Sequence, residues 1–318
     1  MSEARRSILM LVHTGREAAA RIASDFARQV GEAGIEVRIL ADSAEGLSHH
    51  DAGSLRVVEA DDSASAGCEL AVVFGGDGSI LRGAELARPN DTPLLGVNLG
   101  HVGFLAEADV DHLSHTVDRV VDGDYDVEER LAIDVCVNVD GETVERSWAL
   151  NEASVEKSAR ERMLELVVEI DDRPVSRWGC DGVVCATPTG STAYNFSAGG
   201  PVVWPEVEAL LMVPISAHAL FARPMVVSPS SVLAVEVLPG TSTGVLWCDG
   251  RRTLDLPPGA RVEVRRSHQP VRLARLHQAP FADRLVRKFD LPVAGWRGAA
   301  ERREASLDAA VAAIPEEV

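Results

Sequence analysis

Apolar runs and polar breaks alternate in two different rhythms along this chain, one in each half. Residues 7–12 (SILMLV) are an unbroken apolar run, which predicts a buried strand. After Gly15, the stretch REAAARIASDFARQVGEAG sets Ile22, Phe26 and Val30 at i, i+4 and i+8, one face of a helix, and Gly31 and Gly34 end it. Residues 35–40 read as a second strand with Asp42 just beyond it, and 41–68 as a polar surface excursion. A strand at 70–74 runs into Gly75-Gly76-Asp77-Gly78-Ser79. A helix over 79–88, Pro89 and a strand at 94–98 follow, and Leu113, Val117, Val120 and Val121 mark another helix across 109–121. Strands alternating with helices predict a parallel α/β sheet.

From about residue 128 the pattern shortens. LAIDVCVNVDGETVERSWAL alternates around Asp140-Gly141 as a hairpin does. Short strands at 164–170, 182–186, 232–238, 243–248, 261–265 and 271–276, with turns at Asp171-Asp172 and Asp249-Gly250, predict a sheet-rich second domain. The expected fold class is α/β. An N-terminal Rossmann-like α/β domain (1–127) carries the GGDG loop, and a C-terminal β-rich domain of the β-sandwich kind (128–278) follows. In the last segment (279–318), residues 281–298 pack back on the first domain and 299–318 form a frayed helical tail. The fingerprint G-x-G-x-x-G is absent, so a Rossmann-like shape does not import Rossmann cofactor chemistry.

At 318 residues and 46% hydrophobic content the chain has room for two cores. No apolar run reaches the ~20 residues that span a bilayer. The run behind Met1 is too short for a secretory leader, so the cytoplasm is the expected location. A net charge of −18 argues against nucleic acid or an anionic membrane as partner, while local backbone nests still allow small anions. Cys68, Cys136, Cys180, Cys185 and Cys248 never fall in a C-x-x-C and read as reduced core thiols. His112 and His115 form an H-x-x-H without a third ligand at useful spacing, and no metal site is expected there. Lysine occurs only at Lys157 and Lys288, neither behind a glycine, so there is no P-loop, and the protein-kinase motifs are missing too.

Three glycines around Asp77 let N–H groups approach phosphate oxygens, and the helix that follows adds its positive end. A carboxylate in such a nest repels phosphate, so it needs a task. It is a general base toward a hydroxyl, a Mg²⁺ ligand, or, more plainly, a helix cap. DGVVCATPTGSTAYNFSAGGP (181–201) crowds hydroxyls and free amides between glycines and prolines. That suits sugar hydroxyls, an amide-bearing base or phosphate, or a simple loop capped by Ser191. Asn151-Glu152, behind Trp148-Ala149-Leu150, pairs an amide with a carboxylate at a strand end, able to hold a ribose diol or to make a turn. His218, within apolar AHALFARP, reads first as a hydrogen-bonded core histidine, with a catalytic role as the lesser alternative.

The order GGDG, NLGHVGFL, NE, DGVVCATPTGSTAY resembles that of the NAD kinase family, and the likeness runs from the first strand to about residue 298. GGDG is shared with diacylglycerol, sphingosine and phosphofructokinase relatives, whereas TPTGSTAY points to NAD. The resemblance implies Mg²⁺-dependent transfer of a terminal phosphoryl group from ATP, or from inorganic polyphosphate, to the 2′-hydroxyl of the NAD adenosine ribose. Asp77 would be the general base, with Gly75, Gly76 and Gly78 along the phosphates and Arg82 and Arg162 as charge partners. Phe104 would lie on the adenine side, and Asn151 and Glu152 would hold ribose and nicotinamide-end groups. Asp181, Thr189, Thr192, Ala193, Tyr194, Asn195, Phe196 and Ser197 would complete the dinucleotide pocket, partly across a subunit boundary of a homodimer or homotetramer. The divalent ion would be held mainly by donor phosphates and water, since the chain offers no dedicated carboxylate cage. One departure is Gly179, which stands where some family members carry an arginine two residues before Asp181. Two rivals remain: a lipid or sugar kinase on the same scaffold, and a non-catalytic dinucleotide sensor. The acidic balance and TPTGSTAY oppose the first, and the intact Asp77 opposes the second.

Overall fold

The computed structural model describes residues 6–13, 17–98, 103–109, 113–159, 162–277 and 280–293. His112, the tail 299–318, the loop end 294–298 and residues 99–102 of the NLGHVGF stretch lie outside the described residues.

The first half runs β1 (Ser7–Val12), α1 (Glu17–Glu32), β2 (Glu36–Leu40), α2 (Ala41–Leu47), β3 (Leu55–Val58), β4 (Leu70–Phe74), α3 (Asp77–Ala87), β5 (Leu94–Asn98), β6 (Ala108–Asp109), α4 (Leu113–Asp122) and β7 (Asp126–Arg130). Strands β1, β4 and β5 are buried along their whole length, as strands covered on both faces by helices must be. On one side α1 turns Ala23, Phe26 and Val30 inward, and Phe26 meets Phe74 edge-on at 5.2 Å. On the other side Ile80, Leu81 and Ala84 of α3 cover Leu9, Ala71 and Val73. The expected excursion at 41–68 instead contains α2 and β3, and β3 is the edge strand of the sheet beside β2. Its short LRVV stretch carries too little apolar periodicity to stand out in the sequence.

The second half continues through β8 (Ile133–Val139), β9 (Glu142–Ala149), β10 (Glu152–Lys157), β11 (Leu164–Ile170), β12 (Arg173–Cys180), β13 (Gly182–Ala186), α5 (Tyr194–Ser197), β14 (Leu210–Ile215) and β15 (Met225–Val227). It ends with β16 (Leu233–Val237), β17 (Gly244–Cys248), β18 (Arg252–Leu256), β19 (Arg261–Arg266), β20 (Val271–Arg275) and α6 (Phe281–Phe289). Two six-stranded antiparallel sheets, β15-β14-β13-β10-β17-β18 and β12-β11-β16-β19-β8-β9, share one apolar core from Ile133 to Val264, with Trp178 fully buried in it. This is a β-sandwich. The β8–β9 and β17–β18 hairpins turn through Asp140-Gly141 and Asp249-Gly250, all four residues at positive φ, as tight Asp-Gly turns require.

One strand departs from the expected grouping. β20 was expected among the β-rich strands, yet it lies in the first sheet, ordered β3-β2-β1-β4-β5-β20-β7 with β6 beside β5. It runs parallel to β5 and antiparallel to β7. Leu273 and Ala274 are buried there, which is what draws the strand in. The two halves are bolted together near α3. The Trp148 ring lies between the Arg88 and Arg252 guanidinium groups, 4.3 and 4.6 Å away, and Arg88 donates to Ser267 Oγ at 2.7 Å.

Candidate functional site

The carboxyl ends of β1, β4 and β5 open onto a cleft of about 600 Å³. This is where open parallel sheets bind ligands. His13, Asn98 and the loop Gly75, Gly76, Gly78 and Ser79 form one wall with Arg82. Asp249, Gly250 and Arg251, from the β17–β18 turn, form the facing wall. Gly76 caps α3 in an extended conformation, so the first N–H groups of the helix face this space. Arg82 is paired with Asp42 at 2.7 Å and Arg251 with Glu85 at 3.3 Å.

Asp77 opens α3, but its side chain does more than begin a helix. Its Oδ2 accepts the Phe104 N–H and its Oδ1 the Leu105 N–H, both at 3.1 Å. Two backbone donors thus aim one carboxylate. Gly103 allows this, because a β-carbon there would stand 2.3 Å from Asp77 Oδ1. The Phe104 ring packs against Phe281 and Phe289 of α6.

Asn151, Glu152 and the Thr189–Ser197 tract interlock. The Asp249 carboxylate accepts the N–H groups of Leu150 at 3.0 Å and Asn151 at 2.7 Å, and its backbone N–H donates to the Glu152 carbonyl at 2.9 Å. Thr187 donates its N–H to the Asn151 carbonyl and its hydroxyl to that of Leu150. The buried Glu152 carboxyl has no hydrogen-bond partner at Oε2. Burial first, then the charge of Asp249, push Glu152 up to about 8. Leu150 shares a buried cluster with Leu81 and Leu105, so this motif and the Asp77 loop are held against each other.

The remaining expected residues fall into three groups. Thr189 is buried, Thr192 and Ala193 are half-buried, and Asn195 is fully buried, donating to the Ser191 and Pro201 carbonyls. Asn195 is a brace of the loop. Ser191 is no helix cap; its hydroxyl and the Val203 backbone bond each other in both directions at 3.0 Å. Phe196 and Ser197 are exposed, and the Phe196 ring lies 4.5 Å from that of Phe289. Asp181 lies elsewhere. It pairs with Lys157 at the far end of β10 from Glu152, roughly 17 Å away by the rise of an extended strand. Arg162 is exposed and lies outside the lining of the cleft.

His218 corrects the sequence reading. It is exposed, and its backbone bridges to Gly179. The apolar letters around it are surface, with Leu220 and Phe221 both exposed. Asp249 and Arg251 were missed as site residues. Asp249-Gly250 reads locally like the ordinary turn at Asp140-Gly141, and only the fold carries it to the GGDG loop. Among the described residues no group of three or more His, Cys, Asp or Glu side chains is arranged to hold a metal ion, and no helix is long and apolar enough to cross a membrane.

A helix N-terminus with a glycine nest, an aimed carboxylate and a facing polar turn define a site for phosphate-bearing ligands. Family models agree: residues 8–125 match the ATP-NAD kinase N-terminal domain and residues 150–276 the ATP-NAD kinase C-terminal domain. An NAD kinase of Thermobifida fusca is 62% identical over 305 residues, covering 94% of each chain. NAD kinase 2 of Streptomyces avermitilis is 64% identical over 294 residues, covering 92% of this chain and 97% of that one. Two solved structures share the fold at 22% identity. Yeast NADH kinase complexed with NADH has a TM-score of 0.82 and covers 92% of this chain and 89% of that one. An NAD kinase from Archaeoglobus fulgidus in complex with ATP has a TM-score of 0.68 and covers 90% and 100%. The chain belongs to the NAD kinase family.

Proposed function

We propose that this chain transfers the terminal phosphoryl group of ATP to the 2′-hydroxyl of the NAD adenosine ribose, making NADP. The observation that carries the reading is Asp77, aimed by the Phe104 and Leu105 N–H groups within the glycine loop that lines the cleft of about 600 Å³. In this step the 2′-oxygen forms a bond to the terminal phosphorus as the bond from that phosphorus to the bridging oxygen breaks. The hydroxyl proton passes to Asp77, and ADP leaves. Gly75, Gly76 and Gly78 take donor phosphates on backbone N–H groups, with Arg82 and Arg251 supplying positive charge. Asn151 and Glu152 hold sugar and nicotinamide-end groups; the unpartnered Glu152 Oε2 is suited to a ligand hydroxyl or amide. Phe104 and the Thr189–Ser197 tract complete the dinucleotide side.

The Asp77 and Asp249 oxygens already take backbone N–H groups. The cleft therefore fits Mg²⁺ that is carried by donor phosphates and water, where it would neutralise charge on the transferred group. In this reading residues 1–127 supply base and donor loop, 128–278 the dinucleotide tract with β20 lent back to the first sheet, and 279–318 the returning segment. Asp181 serves from a neighbouring copy of a homo-oligomer, a reading supported by its distance from Glu152 within one chain and by the exposed Leu220 and Phe221. In this reading the enzyme works in the cytoplasm.

The test is NADP formation from NAD and Mg²⁺ with ATP, and separately with polyphosphate, beside Asp77→Asn. Product from wild type and a loss of about 100-fold or more in the variant support the reading. NAD binding without product points to a sensor, and failure to bind NAD points to lipid or sugar acceptors.

A further inference from the structure

Helix α6 comes from the far end of the chain, yet its Arg284 grips the loop that aims Asp77. Arg284 Nη1 donates to the carbonyl oxygens of Phe104 at 3.1 Å and Ala106 at 3.2 Å, and Nη2 donates to Glu107 Oε2. The Glu107 side chain is almost wholly buried and is held a second time by Arg275 at 2.7 Å. Phe281 and Phe289, on either side of Arg284 in α6, each place a ring 5.8 Å from that of Phe104.

The Phe104 carbonyl and the Leu105 N–H belong to one peptide unit, and in a trans peptide they point in opposite directions. Arg284 takes the oxygen end of that unit, while the N–H end donates to Asp77 Oδ1. A guanidinium on the carbonyl makes the opposite N–H a stronger donor, as hydrogen bonds in series do. The plane of this peptide is therefore fixed from behind by α6 and read from the front by the carboxylate. Gly103, with no space for a β-carbon beside Asp77, closes the same loop from its other end.

We infer that Arg284 is a positioning residue for phosphoryl transfer, setting the orientation of the Asp77 carboxylate through the Phe104–Leu105 peptide. The inference rests on the reading of Asp77 as proton acceptor. Its signature is a loss of kcat without a matching rise in KM, because Arg284 acts on the loop behind the carboxylate and leaves the glycine nest and the Asn151-Glu152 motif in place.

The experiment compares wild type, Arg284→Met, Arg284→Lys and Asp77→Asn with NAD, ATP and Mg²⁺, and follows NAD binding and thermal unfolding in parallel. Arg284→Met is expected to lower kcat by roughly 10- to 100-fold, the cost of misplacing a reacting group by a fraction of an ångström to one ångström. KM for NAD and for ATP should stay within about threefold. Arg284→Lys keeps a cation but loses the fork that joins the two carbonyls to Glu107, and should recover part of the lost kcat. An unchanged kcat in Arg284→Met, or a rise in both KM values that matches the fall in kcat, overturns the inference. If Arg284→Met does not fold, Arg284→Lys decides: a lowered kcat with unchanged KM values supports it, and wild-type kinetics overturn it. Asp77→Asn separates the two readings. Wild-type rate in that variant removes the proton acceptor and the inference with it. An inactive Asp77→Asn beside a fully active Arg284→Met removes the inference alone.

Discussion

Gly190 stands against the backbone of Asn151 so closely that a β-carbon on it would lie 2.0 Å from the Asn151 carbonyl oxygen and 2.4 Å from its carbonyl carbon. Neither neighbour is a flexible side-chain end. The contact ties the TPTGSTAY tract to the NE motif, and one methyl group would part them. Gly190→Ala should cost about 3 kcal/mol or more of stability, the upper part of the range for overpacking a rigid site. A urea titration reads this directly; a midpoint within error of wild type would show that the two segments can separate freely.

Arg251 faces the GGDG loop across the cleft, and its ion pair with Glu85 is long, at 3.3 Å. A guanidinium held so loosely is free to turn to a phosphate. Arg251→Gln should raise KM for the phosphoryl donor by about tenfold, the worth of one charge-assisted hydrogen bond, and move KM for NAD far less. Steady-state kinetics with each substrate varied in turn decide it. Equal rises in both constants would mean that the turn supports the site as a whole and does not grip the donor.

Glu152 keeps its proton to about 8 in the fold, chiefly because it is buried, whereas the unfolded chain releases that proton near 4.5. The folded state therefore binds more protons between those values, and its stability falls as pH rises through that window. Glu152→Gln removes the titration. The stability of the variant relative to wild type should grow by the order of 1–3 kcal/mol between pH 5 and pH 9. Chemical denaturation of both proteins across that range checks it; a constant difference would mean that Glu152 is charged in the fold.

The thiols make a simpler case. Burial pushes Cys180 and Cys185 up to about 12 and Cys248 to about 11, and Cys136 is buried as well. Thiolate is the reactive form, so these groups should be inert toward a disulfide reagent at pH 8 until denaturant is added. Cys68, half-buried, is the one expected to react slowly in the native protein. Rapid modification of more than one thiol would contradict this packing.

How much of this was legible in the letters depends on how local each signal is. GGDG and TPTGSTAY stand out because dense glycines and hydroxyls suit a phosphate and sugar site, and NE because an amide and a carboxylate stand side by side at a strand end. The strands around Phe74 and Val183 were equally plain, since full burial needs unbroken apolar runs. Asp249 was not legible: its role is to collect the N–H groups of residues about a hundred positions earlier, and an Asp-Gly turn looks the same wherever it points. His218 misled because apolar neighbours suggest a core, although here they cover an exposed surface. The sheet to which β20 belongs is a long-range pairing, and nothing in VRLAR distinguishes one partner from another.

That same strand has a consequence for biosynthesis. β20 fills the place between β5 and β7, but in chain order it comes after every strand of the sandwich. Until then β7 has no neighbour and most of the β5 flank is an open edge, the kind that recruits unwanted strands. A chain that ended just after β19, near residue 268, would carry every strand of the sandwich beside an unfinished first sheet. Its early-made half waits for the last strand, so a premature stop that spares every residue of the cleft would still leave an aggregation-prone chain.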